Sequence, residues 1–186
     1  MDYANLASLA PLAVLASTAV VAMLMAPFFG GATVRNAAAF GFLVALILMA
    51  ERYGDPAAPA TDLLADDAPA RLGAILVTLA GLAVLFVLPA RGVAREGPAL
   101  VAVGTAGAVT LAAALHGATV FLGLEISSLA LVALVAFPLS RAALEASYKY
   151  FIMGGAAAAA LLFALAIGFS GTGGLHLSMW TGEGAL

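Results

Sequence analysis

Two charged side chains stand in this sequence where the surrounding residues are almost wholly apolar. Glu125 lies inside the run FLGLEISSLALVALVAF, residues 121–137, and Lys149, the only lysine, opens the next apolar run. Ionisable groups inside bilayer-spanning segments are costly, and their default reading is functional. Burial disfavours the charged form of a carboxyl, so a carboxyl at such a position is poised to take up and release a proton. Ser127 and Ser128 follow Glu125 directly and offer hydroxyls that can hydrogen-bond or hold water beside it. The bland alternative is a permanently neutral carboxyl pinned to a neighbouring helix.

Lys149 follows Glu145 by four residues, the spacing at which Glu(i) and Lys(i+4) pair on one helix face. A lysine near the end of a span can also snorkel to the interface, and that reading stands beside the functional one. His116 sits at a turn between two apolar runs, with His176 in the tail. A histidine there is first an interfacial polar group. Titration near neutral pH makes His116 a minor relay candidate, along with Ser127 and Ser128.

These groups need a membrane scaffold to position them. The chain of 186 residues is 65% hydrophobic and 9% charged, against about 25% charged in soluble domains. The expected fold is all-α and polytopic, with about six transmembrane helices. Apolar runs place the spans near 6–29, 36–50, 72–88, 99–115, 118–137 and 143–169. A polar loop covers 53–70 and a Gly-rich tail 170–186, all within one transmembrane domain. The run from Ala99 to Phe137 holds one charge and is about twice the length that crosses a bilayer once, so it must fold back, at His116-Gly117. Pro89 closes the third span. The small residues Gly154, Gly155 and Ala156 to Ala160 suit the sixth span to close helix–helix approach, and Trp180 suits an interfacial anchor.

The acidic segment 53–70 reads as a solvated loop. Its Asp55, Asp62, Asp66 and Asp67 lack calcium-loop spacing. Arg35, Arg91, Arg95 and Arg141 fall on one side of the predicted spans, and Arg52 and Arg71 on the other. The positive-inside rule then places both termini on the outer, periplasmic side. In that frame Glu125 lies roughly 18 Å above the inner end of its helix and Lys149 roughly 8 Å from the inner side. A depth difference of roughly 10 Å makes them two stations of a polar path and not a direct pair. Scattered basic residues and a net charge of −3 argue against nucleic acid as partner. Without cysteine there is no thiolate metal site, and no phosphate loop, metal spacing or nucleophile motif occurs, so neither cofactor nor catalytic metal is expected.

FLGLEISSLALVALVAF followed by EASYKYFIMGGAAAAALLFALAIGFSGTGGL resembles subunit N of respiratory complex I, the proton-translocating NADH-quinone oxidoreductase. The family shows F-L-G-L-E-x-x-S-L-x-x-Y-A-L-V-A-F, then E-A-x-x-K-Y-F-x-x-G-A, then Y-G-x-T-G-x-L. The likeness covers about residues 120–175. Val132 stands where the family has tyrosine, and Phe169-Ser170 stands near its Y-G. The resemblance implies that Glu125 is a carboxylate paired with a lysine on a later, broken helix, and that Lys149 belongs to a central hydrophilic axis; the i,i+4 spacing adds Glu145 as the group that modulates Lys149. It implies proton transfer driven by redox chemistry in other subunits, no redox centre here, and a multi-pass place in the cell inner membrane. The partners implied are the other complex I membrane subunits and the lipid bilayer, with a separate chain supplying the later helices as one of the alternatives for the remainder. Family members have about fourteen spans, so the broken helix and its lysine lie outside these six. A piece of a Mrp-type cation/proton antiporter and a structural membrane subunit, with Glu125 as a helix clamp, are the alternative readings.

Overall fold

The computed structural model describes residues 3–56, 58–87 and 95–181, with side chains described for 7–56, 61–87 and 95–180. The chain is mostly helical. In order it forms α1 (Tyr3–Met25), α2 (Gly31–Glu51), β1 (Ala58–Thr61), β2 (Leu64–Asp66), α3 (Ala68–Val87), α4 (Gly97–Ala112), α5 (Gly117–Ala136), α6 (Arg141–Thr172) and α7 (Ser178–Thr181). Among the described residues, α1, α2, α3, α5 and α6 are long and apolar enough to cross a membrane, and α4 is a shorter apolar helix. The expectations for Pro89, for Arg91 and for the tail beyond Thr181 fall outside the described residues.

Leu, Ala and Val dominate these helices, and a bilayer offers the backbone no partner but itself, so apolar chain there becomes helix. Local caps set several boundaries. His116 has extended backbone, and its Nδ1 accepts from the Ala118 N–H at 3.2 Å, starting α5. Ser140 Oγ accepts from the Ala143 N–H at 3.2 Å, starting α6. Gly173 closes α6 in the left-handed region (φ 76°), its N–H donating to Phe169 O at 2.8 Å. A side chain at that φ is strained, which is why glycine stands there. Thirty-two residues make α6 roughly 48 Å long, well beyond the ~30 Å hydrocarbon core.

α4 is the hub: it packs on α1, α3 and, most extensively, α5, while α6 packs chiefly on α5. The core is built largely from small and medium residues, including Ala22, Ala38, Ala45, Ala102 and Val109 around Leu15, Phe42 and Leu85. Gly41 lies so close to Thr18 of α1 that a Cβ there would overlap the threonine hydroxyl. By contrast Gly154 and Gly155 of α6 have no neighbour within 4 Å in the sense a Cβ would meet. Gly154 and Gly155 therefore make no close approach among the described residues, although Ala158 of the same stretch is buried, and it is between α4 and α5 that two backbones come closest.

The acidic segment is more ordered than a solvated loop. β1 and β2 form an antiparallel hairpin, Ala58 opposite Asp66 and Pro59 opposite Ala65. β2 continues onto the α4–α5 link: Ala65 N–H donates to Ala113 O (2.7 Å) and Leu115 N–H to Leu63 O (3.0 Å). The α6–α7 link joins on the far side, Gly117 N–H donating to Leu175 O (2.8 Å) and Leu177 N–H to Leu115 O (2.9 Å). The result is a hydrogen-bonded ribbon across the end of the bundle where α2, α4 and α6 finish. Trp180 folds back here, its ring against Gly168 and its Nε1–H donating to Thr172 Oγ1 and Gly174 O, each at 3.2 Å.

Candidate functional site

Residues 123, 127 and 130 of α5 lie against α4, spaced three and four apart on one helix face. Glu125 is two residues from both Gly123 and Ser127, about 200° around the helix from each. It therefore lies on the side of α5 away from α4, where α6 is the other helix packed on α5. The residue is half-buried. Among the described residues its carboxylate has no hydrogen bond and no ion pair. Ser128 Oγ donates to the Glu125 backbone carbonyl at 3.2 Å. Ser127 Oγ lies on the α4 side, 2.8 Å from Gly123 O and 3.1 Å from Gly104 O.

α5 and α6 run antiparallel, with Gly117 against Leu165. That register sets Glu125 level with about residue 157 of α6, within the stretch from Gly154 to Ala160, at 1.5 Å per residue. In that stretch no described atom lies within 4 Å of a Cβ built on Gly154 or Gly155.

Lys149 Nζ donates to Glu145 Oε1 at 2.6 Å, with side-chain exposures of 70% and 61%. Ser147, Ala158 and Leu165 are the buried residues of α6. The Glu145–Lys149 pair lies nearly opposite that buried seam by helical rotation, on the face the described residues leave uncovered. Lys149 stands roughly 12 Å along the helix axis from the Glu125 level. The structure thus joins Lys149 to Glu145 and does not join either to Glu125. His116 lies at the other end of α5, a cap within the ribbon and directly opposite His176 in a β-bridge.

One charged cluster escaped the sequence reading. Asp66 and Arg71 are 8% and 6% exposed. Arg71 Nε donates to Asp66 Oδ1 and Arg52 Nη2 to Asp66 Oδ2, each at 2.7 Å. Arg71 Nη1 also donates to Asp55 O at 2.7 Å, tying the approach to the hairpin to the start of α3. A cavity of about 60 Å³ adjoins the cluster, walled by Leu12, Met49, Thr110 and Ala113. The correction to the solvated-loop reading is physical. One carboxylate shared by two guanidiniums can be buried, because each charge is paired. The usable signal was two arginines bracketing an aspartate that ends a turn-flanked segment.

Comparison with known proteins places these features. Residues 114–181 match a family model described as NADH:quinone oxidoreductase/Mrp antiporter, TM. The whole chain is 49% identical over 187 residues to NADH-quinone oxidoreductase subunit N of Rhodopseudomonas palustris (strain BisA53), covering 41% of that protein. Against the same-named protein of Cereibacter sphaeroides (strain ATCC 17025 / ATH 2.4.3) the identity is 46%, over 98% of this chain and 40% of the relative. The fold matches a chain of respiratory complex I from Thermus thermophilus with bound aureothin, at TM-score 0.80 and 30% identity, over 90% of this chain and 38% of that one. The chain spans about two-fifths of the length of the curated relatives it matches.

Proposed function

We propose that this chain, homologous throughout its length to NADH-quinone oxidoreductase subunit N, is the part of an antiporter-like, proton-translocating membrane subunit that carries its carboxyl switch. The observation that supports this is Glu125: a half-buried carboxyl in an apolar helix, turned away from the tight α4 seam and left without a cation among the described residues. A carboxyl without a fixed partner can change protonation as a neighbouring charge comes and goes. The family resemblance supplies that neighbour as a lysine on a later, broken helix, in the rest of the subunit or in a separate chain. Lys149, modulated by Glu145, is a second station toward the opposite end from the hairpin. Ser128 and His116 are minor members of the path. The chain holds no redox centre in this reading, and electron transfer elsewhere in the complex drives the protons.

In the same proposal α1 to α6 are six spans of one transmembrane domain in the cell inner membrane, beside other complex I membrane subunits and lipid. Sixteen residues give α4 a length of roughly 24 Å. It can be short because its surface is covered by α1, α3 and α5. Both termini, with the hairpin ribbon, face the periplasm. The arginine distribution supports this, since Arg52 and Arg71 on the ribbon side are committed to Asp66.

The test is Glu125→Gln in the assembled enzyme, which keeps size and hydrogen bonding and removes the titration. Proton uptake into vesicles should fall at least about tenfold, while NADH oxidation by an artificial acceptor persists. Pumping at the unaltered rate sinks the reading.

A further inference from the structure

The α4–α5 seam bears directly on the carboxyl it does not touch. At this seam the two backbones meet. A Cβ on Gly107 would stand 2.8 Å from Ser127 N and 2.9 Å from Gly123 O, and one on Gly123 would stand 2.8 Å from both Gly107 O and Leu111 N. Contacts that close set the distance between α4 and α5 and leave the rotation of α5 to be fixed by the groups at the seam. The Ser127 hydroxyl lies between Gly123 O of its own helix (2.8 Å) and Gly104 O of α4 (3.1 Å). A serine bonded only to its own i−4 carbonyl would leave its helix free to turn. The reach to Gly104 O does not. One hundred degrees per residue then puts the Glu125 side chain on the far side of α5.

We propose that Ser127 is a positioning residue for the Glu125 carboxyl, locking the rotation of α5 against the Gly104 carbonyl so that the carboxyl is presented on the side away from α4. This deepens the proton-transfer reading and rests on it. Ser127 is thereby separated from Ser128, which lies on the Glu125 side and bonds the Glu125 carbonyl. If α5 turns by one residue's worth of rotation, the carboxyl swings by about 100°, off that side.

The experiment labels Glu125 in native membranes with dicyclohexylcarbodiimide and quantifies the modified peptide by mass spectrometry across pH. The protonated carboxyl adds across one C=N bond of the carbodiimide, its oxygen bonding to the central carbon and its proton going to nitrogen, and the resulting O-acylisourea rearranges by O-to-N acyl transfer to a stable N-acylurea. Ser127→Ala removes the hydroxyl without adding bulk, and Gly107→Ala forces the backbones apart. Each should move the labelling midpoint by about half a pH unit or more, which is about threefold in the protonated fraction at fixed pH. Gly41→Ala overpacks the α1–α2 seam against the Thr18 side chain, away from Glu125, and should leave the midpoint unchanged. Midpoints in Ser127→Ala and Gly107→Ala equal to that of the unaltered protein would overturn the proposal and leave the seam a matter of stability. The readout does not depend on pumping, so it separates a wrong role for Ser127 from a wrong role for Glu125.

Discussion

Arg71 Nε and Asp66 Oδ1 are 2.7 Å apart, and both side chains are buried beneath the hairpin that carries Asp66. Burying an ion pair gains little over an apolar pair of the same shape, but breaking one leaves an uncompensated charge, at about 3–5 kcal/mol. Arg71→Ala should therefore lower the midpoint of thermal or denaturant unfolding in detergent strongly. Arg52→Ala should lower it less, because the Arg52 side chain is the more exposed partner. Equal effects of the two substitutions would show that the pair is not buried in solution.

Glu145 and Lys149 form an exposed pair at helical spacing, and such pairs contribute only about 0.3–0.5 kcal/mol. Lys149→Ala and Glu145→Gln should leave the folded protein and its assembly intact. Under the proposed function Lys149→Ala slows proton translocation, and intact turnover would assign Lys149 to the membrane interface. Amounts of assembled complex, measured beside vesicle acidification, separate these outcomes.

Gly41 and Thr18 are a pair in which one residue is small because the other is not. Gly41→Ala should destabilise the protein by about 1–3 kcal/mol through overpacking. Adding Thr18→Ala should recover part of that loss, so the two substitutions will not add. A double-mutant cycle on unfolding free energies checks this. Strict additivity would mean that α1 and α2 shift apart without cost.

Gly173 closes α6 at φ 76°. Gly173→Ala should cost about 1 kcal/mol from the left-handed backbone alone. It should also loosen the link that pairs with residues 115–117. Faster amide exchange at Leu177, whose N–H donates to Leu115 O, with α3 unchanged, is the expected signature.

The helices were legible because a span in lipid is apolar on every side, so run length alone marks it. That same uniformity hid the packing. α5 carries Leu122, Leu129 and Leu131 on exposed faces and Gly123 and Ala130 on its buried one, an arrangement that hydropathy cannot distinguish from its reverse. The contact surface is marked by smallness, and smallness was visible also at Gly154 and Gly155, where no described atom comes within 4 Å of a Cβ. Glu125 stood out because a lone charge in an apolar run is conspicuous. Its direction did not, because that depends on Gly104 and Gly107 in another helix. The acidic segment misled in the opposite way. Four aspartates and three prolines read as solvent-facing, and only pairing across five and fourteen residues shows that Asp66 is not.

The ribbon that stitches β2, the α4–α5 link and the α6–α7 link together lies at one end of the bundle. At the other end α5 passes to α6 through the four residues 137–140, where Leu139 adopts φ 51° and, among the described residues, backbone bonds run only within the turn. Among the described residues α5 is thus fastened differently along its length: by backbone hydrogen bonds to neighbouring segments beside His116, and beyond Glu125 by close packing on α4 and the Ser127 hydroxyl. Hydrogen bonding holds one end of the helix and shape holds the rest, so the two can be weakened separately.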